Sequence, residues 1–216
     1  RVIGAFEGSI EKLVALADPI TYQADFQHLD RDLVVAAGFD DKMGTFVCME
    51  ALRLLARRKL DCGVWAVSTV QEELGLRGAR TACYGIDPVV GIAVDVTHAS
   101  DYPGCDKARQ GDIKIGAGPT IAIGPNINPV VGKLLLDTAK QKKIPHQVDP
   151  EPSGTGTDAN AIQITRAGVA AGLVSVPNRY MHTPVEVISL SDLENAAKLL
   201  AETVARIHPG MDFTPM

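Results

Sequence analysis

From Leu33 onward, short apolar runs alternate with stretches whose apolar residues recur at helical spacing. This pattern predicts an α/β fold: a mixed, mostly parallel sheet with helices on both faces. Leu33 to Ala37 reads as a strand. Gly44 to Lys59 carries Phe46, Met49, Leu52, Leu54 and Leu55 at near-helical spacing, and it ends in Arg57-Arg58-Lys59, which suits the negative end of a helix dipole. Val64 to Val70 and Val89 to Asp95 are apolar, β-branched runs expected to be strands, with a short helix between them at Arg77 to Tyr84. Thr120 to Ile123 is a further strand, Pro129 to Lys142 a helix with basic residues in its last turn, Asp158 to Thr165 a shorter helix, and Val169 to Val176 a buried strand. Ser191-Asp192-Leu193-Glu194 opens a last helix that runs to about Ile207. Residues 1–30 stand outside this alternation. They contain the turn Ala17-Asp18-Pro19 and a strand-like Ile20-Thr21-Tyr22, and they read as the end of another unit, which leaves 31–216 as the main domain.

A chain of 216 residues, 46% of them hydrophobic, can bury roughly 70% of its unfolded surface in one core. No apolar run reaches the about 20 residues that a membrane-spanning helix needs, and Arg1-Val2-Ile3-Gly4-Ala5-Phe6 has no signal-peptide character. A cytoplasmic protein is therefore expected. Cys48, Cys62, Cys83 and Cys105 form no Cys-x-x-Cys pair and fit reduced packing thiols. A formal charge of −5 without a basic run argues against nucleic acid or an anionic membrane as partner and leaves a small molecule or peptide as substrate.

The chemistry-bearing residues fall where predicted strands end. Asp40-Asp41 follows the first strand, Glu72-Glu73 follows Val64 to Val70, and Asp95 closes Val89 to Asp95, so three strands send carboxylates to one rim. In an open α/β sheet that rim holds the ligand site. His182 lies in the proline-bounded loop Pro177 to Pro184. Hard oxygen donors with one imidazole suit a divalent metal, and a neighbouring glutamate suits a general base. Glu186 and Asp158 are weaker candidates that could orient a ligand. Ser153-Gly154-Thr155-Gly156-Thr157-Asp158 lacks the lysine of a phosphate-binding loop and is read as lining the substrate site. No Gly-x-Ser-x-Gly elbow is present, which disfavours a serine hydrolase. A glycoside hydrolase would have no use for His182. His28 and His98, near Asp30 and Asp101, are read as ordinary isolated histidines.

The segments Phe39-Asp40-Asp41-Lys42-Met43-Gly44, Gln71-Glu72-Glu73-Leu74-Gly75-Leu76-Arg77-Gly78-Ala79, Val94-Asp95-Val96-Thr97, Gly156-Thr157-Asp158-Ala159 and Pro177-Asn178-Arg179-Tyr180-Met181-His182-Thr183-Pro184-Val185-Glu186 together resemble the glutamyl and tetrahedral aminopeptidases. These are co-catalytic zinc or cobalt metallopeptidases, some labelled endoglucanases, and the similarity runs over roughly residues 20 to 210. The resemblance implies a zinc-exopeptidase-like catalytic domain that removes N-terminal residues from peptides with a free amine. It implies two divalent ions, zinc or cobalt with manganese as an alternative. Asp40 would bridge them, Glu73 and His182 would complete one site, Asp95 would belong to the other, and Glu72 would be the general base, with Asp41 a neighbour rather than a ligand. A homo-oligomer is also implied.

One departure stands out. Members of that family place a further metal-binding histidine, in a His-x-Asp motif, well upstream of the Asp-Asp pair, with a small β-rich domain inserted between. Here 39 residues precede Asp40, and His28-Leu29-Asp30 lies where the insert should be ending. The chain is expected to be a C-terminal portion that begins at the end of the inserted domain, with its second metal site weak or empty. The alternatives are another co-catalytic metallohydrolase, such as an aminoacylase or dipeptidase, and a catalytically silent assembly module.

Overall fold

The computed structural model describes residues 12–215. In chain order its elements are β1 (Gln27–His28), β2 (Leu33–Ala36), α1 (Phe39–Leu55), α2 (Arg77–Ile86), β3 (Val90–His98), α3 (Lys107–Gln110), β4 (Thr120–Ile123), α4 (Pro129–Lys142), β5 (Gln147–Pro150), α5 (Asp158–Gln163), β6 (Ala170–Asn178), β7 (Glu186–Ser189) and α6 (Leu190–Val204). No helix among the described residues is long and apolar enough to cross a membrane.

Four strands in the order β3-β6-β4-β5 form the main sheet. β3 and β6 run parallel from Val90 opposite Ala170 to His98 opposite Asn178; β4 lies antiparallel to β6 and parallel to β5. β6 is buried along almost its whole length, as a strand covered on both faces must be, and its apolar run is correspondingly continuous. Its side chains alternate between two cores. Val174 and Val176 pack with Val47, Val131, Leu135 and Leu199 of α1, α4 and α6, whereas Ala171 and Leu173 pack with Ala79 of α2 and Ala159 and Ile162 of α5. The sheet is thus mixed, mostly parallel and covered by helices on both faces, as the alternation of runs predicts. α4 starts where Asn128 caps it, the side-chain oxygen accepting from the amides of Val130 and Val131 with Pro129 in the first turn.

A second, antiparallel sheet of order β1-β2-β7 pairs Leu33 with Ser189 and Ala36 with Glu186. This register carries the chain from β2 into Asp40 directly beside Glu186.

Several expectations need correction. Val64 to Val70 is not a strand: it has no ladder partner among the described residues, and Trp65, Val67 and Val70 stay 65%, 39% and 67% exposed. A β-branched run becomes a strand only with a neighbour to pair with, and the edge of β3 away from β6 is equally unpaired. Ile20 to Tyr22 is likewise without a ladder partner among the described residues. α1 begins at Phe39 rather than Gly44, but Asp40 (φ −78°, ψ 107°) and Asp41 (φ −122°, ψ 49°) are non-helical, so the regular helix follows them. β5 and β7 escape a hydropathy reading because Gln147-Val148-Asp149-Pro150 is half polar and β7 opens on a glutamate. All four cysteines are free and partly buried.

Candidate functional site

The joints between elements carry the reactive groups. Gly38 turns the chain out of β2 with φ 70°, a left-handed conformation that glycine adopts without steric cost, and so presents Asp40 and Asp41 at the mouth of α1. The Asp41 carboxylate fills the space beside Gly44, where a Cβ would collide with it, and accepts the Gly44 amide at 3.0 Å. Glu72 and Glu73 sit in a tight turn before α2, with the Glu72 carbonyl accepting from Gly75 and Leu76 at 3.0 and 2.9 Å. Gln71 at φ 58° and Leu76 at φ 57° flank it. His182 itself stands at φ 63° in the loop between β6 and β7. Left-handed non-glycine residues persist only where surrounding contacts hold them, and they recur at functional sites.

Three of the five singled-out residues meet. His182 Nε2 lies 3.0 Å from Asp40 Oδ2 and 3.3 Å from Glu73 Oε1, and the three donor atoms fall within 4.8 Å of one another. His182 and Glu73 are open to solvent, whereas the Asp40 side chain is 11% exposed. Asp95 and Glu72 are outside this group but line the same groove as Asp40, Asp41 and Asp158. His28 is not part of the group; its ring lies edge-on to Phe26 at 5.4 Å. In the glycine-rich stretch, Thr155 donates both its amide and its hydroxyl to Asn160 Oδ1, so the loop closes on itself. Thr157 caps α5 and sets Asp158 in its first turn, where it accepts from the Thr69 hydroxyl at 2.6 Å.

Crowded carboxylates at a partly dry rim resist ionisation. Burial, then Asp95, pushes Asp41 up to about 9. Burial, then Asp158 and Glu73, pushes Glu72 up to about 7. Burial, with Glu72, Asp40 and Asp158 adding to it, pushes Asp95 up to about 7 against the hydrogen bond from the Val96 amide. Asp40 and Asp158 are also raised, chiefly by burial. A divalent cation would relieve this mutual repulsion, and two carboxylates plus an imidazole are the donors such an ion takes, so the residues present fit a metal. Metal affinity should fall as pH drops, because the ion must then displace protons from carboxyls such as Asp40 that burial has raised, and binding should release them. Calorimetry in buffers of differing ionisation heat between about pH 6 and 8 measures both; affinity independent of pH would contradict this. Without metal the sign for folding follows from the same raised values. The stabilising contribution is complete below the ordinary carboxylate range and is lost as pH rises through about 7.

Glu186 is more central than its place in the sequence suggests. It is 2% exposed, and its two carboxylate oxygens accept the Asp40 amide at 3.1 Å and the His182 amide at 3.0 Å. One buried side chain thereby fixes the backbones that present two of the three donors. The available signal was a charge opening the otherwise apolar strand Glu186-Val187-Ile188-Ser189. Glu186→Gln retains one acceptor and should weaken metal binding by about 10–100-fold. Unaltered affinity in a competition assay with a chromogenic chelator would refute that positioning role.

Comparison with known proteins agrees with this architecture. The chain matches the M42 glutamyl aminopeptidase family over residues 5–199. It is 42% identical over 194 residues to the lysyl aminopeptidase of Pyrococcus furiosus, covering 90% of this chain and 54% of that protein. It is 29% identical to the glutamyl aminopeptidase of Lactococcus lactis, covering 95% of this chain and 58% of the relative. Among solved structures, an aminopeptidase from the archaeon Desulfurococcus kamchatkensis superposes with a TM-score of 0.86 at 40% identity, over 94% of this chain and 57% of that one. The TET1 peptidase of Pyrococcus horikoshii, described as assembling into a tetrahedron or a large octahedral shell, gives 0.74 at 28% identity, over 89% and 57%. The chain therefore spans just over half the length of these relatives. A match over most of its residues, joined to identity above a third with a full-length enzyme, places the chain in the M42 glutamyl aminopeptidase family.

Proposed function

We propose that this chain carries the active site of a metal-dependent aminopeptidase. The observation that carries the reading is the meeting of Asp40, Glu73 and His182 beside Glu72 in a member of a peptidase family. Asp40, Glu73 and His182 would hold one divalent ion, zinc or cobalt. Asp40 and Asp95 would be this chain's share of a second site. A divalent ion in such a site makes water acidic enough to deprotonate near neutral pH and polarises the scissile carbonyl. Glu72, raised to about 7, is matched to taking a proton from the attacking water and returning it to the leaving amine. The remaining carboxylates give the rim a negative field that favours a substrate's free α-ammonium group. Residues 31–216 would form the catalytic domain and 1–30 the end of a separate β-rich unit. The site would work inside a homo-oligomer in the cytoplasm.

Hydrolysis of aminoacyl p-nitroanilides, lysyl and glutamyl among them, by the chelator-stripped chain before and after adding zinc or cobalt tests the reading. Release that needs the metal and a free α-amine is expected. Cleavage of N-acetylated substrates, or release indifferent to metal, would sink it, and no release from the metal-loaded chain would show that this chain is not sufficient.

A further inference from the structure

We infer that the ion pair between Arg179 and Asp101 is a latch that positions His182: it ties the loop carrying the histidine to the segment that follows β3, and metal affinity at the rim depends on it. The inference rests on His182 being a metal ligand, as proposed above; neither latch residue belongs to the group of donors itself.

His182 has to be held through its backbone. Its side chain is 61% exposed, so packing does not orient the ring. Both His182 and Tyr180 stand in left-handed backbone, at φ 63° and 62°, which non-glycine residues keep only where surrounding contacts over-determine them. Several bonds close the loop on its own stem. Arg179 and Val187 exchange both backbone hydrogen bonds at 3.0 Å, the Tyr180 carbonyl accepts the Thr183 hydroxyl at 2.7 Å, and the Thr183 hydroxyl oxygen accepts the Val185 amide at 3.2 Å. Glu186, gripping the amides of Asp40 and His182, holds the side of the loop that enters β7.

The side that leaves β6 is held by a different segment. There the Arg179 guanidinium donates through Nε and Nη2 to the two oxygens of Asp101, each at 2.8 Å. Two parallel bonds fix direction as well as distance. The paired side chains are 25% and 17% exposed, whereas the surface contact of Arg31 with Asp30 spans 3.9 Å at 89% and 80%, so solvent and salt weaken the Arg179 grip far less. Beside it the Tyr180 ring packs on Tyr102 with centroids 5.6 Å apart. Asp101 is itself anchored, because it accepts the Ile115 amide at 3.1 Å. The nearby amides of Gly116 and Gly118 donate to the two oxygens of Asp192, each at 2.7 Å, and Asp192 is fully buried in the first turn of α6. A line of contacts thus runs from α6 through residues 115–118 and Asp101 to Arg179, three residues before His182.

A thermodynamic cycle with His182 separates a latch from plain structural support. Cobalt affinity is measured by competition with a chromogenic chelator in the parent, Arg179→Gln, His182→Gly and the double variant, beside thermal melts of the metal-free chains. Arg179→Gln should weaken cobalt binding about 10–100-fold, the range for residues that orient ligands. In the His182→Gly background the same replacement should change affinity less than about twofold, because the latch acts through the histidine. Asp101→Asn should act in the same direction, and combined with Arg179→Gln it should do no more than the stronger single variant, since both break one contact. Arg179→Lys keeps the charge and most of the stem, which guards against a variant that fails to fold; lacking the planar fork, it should still lose several-fold. Amide exchange at Tyr180–Thr183 in its metal-free form should quicken several-fold, with β6 unchanged. Parental cobalt affinity in a folded Arg179 variant, or an equal loss in both backgrounds, overturns the latch. Parental affinity in His182→Gly alone would instead overturn the ligand assignment, and the latch with it.

Discussion

A Glu72→Gln variant should hold metal as the parent chain does and lose about 10²- to 10⁴-fold in kcat, the contribution expected of a positioned general base. The amide has nearly the shape of the carboxyl group but cannot accept the water's proton. Glu72 stands apart from the group formed by Asp40, Glu73 and His182, so its neutralisation leaves those donors in place. Its proton affinity is already set near neutrality by burial and by Asp158 and Glu73. The replacement also removes one negative charge from the rim, so Asp95, which Glu72 helps to raise, should ionise at lower pH in the variant. A fall in kcat with unchanged metal stoichiometry is the expected outcome. Unchanged kcat, or loss of metal in parallel with loss of turnover, would remove Glu72 from the role of base.

The second large effect belongs to His182. Replacing it by glycine removes the only imidazole of the group while keeping a residue at ease in the left-handed backbone, at φ 63°, that this position requires. Because the side chain is largely exposed and glycine's ease in the left-handed backbone offsets its extra chain entropy, the metal-free fold should change in stability by less than about 1 kcal/mol. Metal affinity should fall by at least about 100-fold, beyond what altering a supporting residue such as Glu186 does. Equilibrium dialysis beside a thermal melt separates the two effects. A variant that melts like the parent and still takes up metal with parental affinity would exclude His182 as a ligand.

What the sequence made legible follows from physics that acts locally. α4 announces itself through Asn128-Pro129 at its start and lysines at its end, and β6 through an unbroken apolar run. Acidic residues placed after such runs pointed to a rim, and three of the residues singled out come within 4.8 Å. What stayed hidden depends on partners distant in the chain. Val64–Val70 has every local mark of a strand and lacks only a neighbour. β7 exists because β2 lies beside it, in a register that sets Ala36 against Glu186. The double grip of Glu186 on Asp40 and His182, 146 and four residues away, shows locally only as a charge at the start of an apolar run. Asp41 reads as a mere neighbour, yet burial beside Asp95 pushes it up to about 9, above Glu72 and Asp95 at about 7.

Anomalous X-ray scattering from crystals soaked in zinc or cobalt tests the central claim most directly. The account predicts the strongest peak among Asp40 Oδ2, Glu73 Oε1 and His182 Nε2, at about 2.0–2.2 Å from each after small side-chain movements, with a weaker or missing peak toward Asp95. A fully occupied ion elsewhere, with nothing between those three atoms, would contradict it.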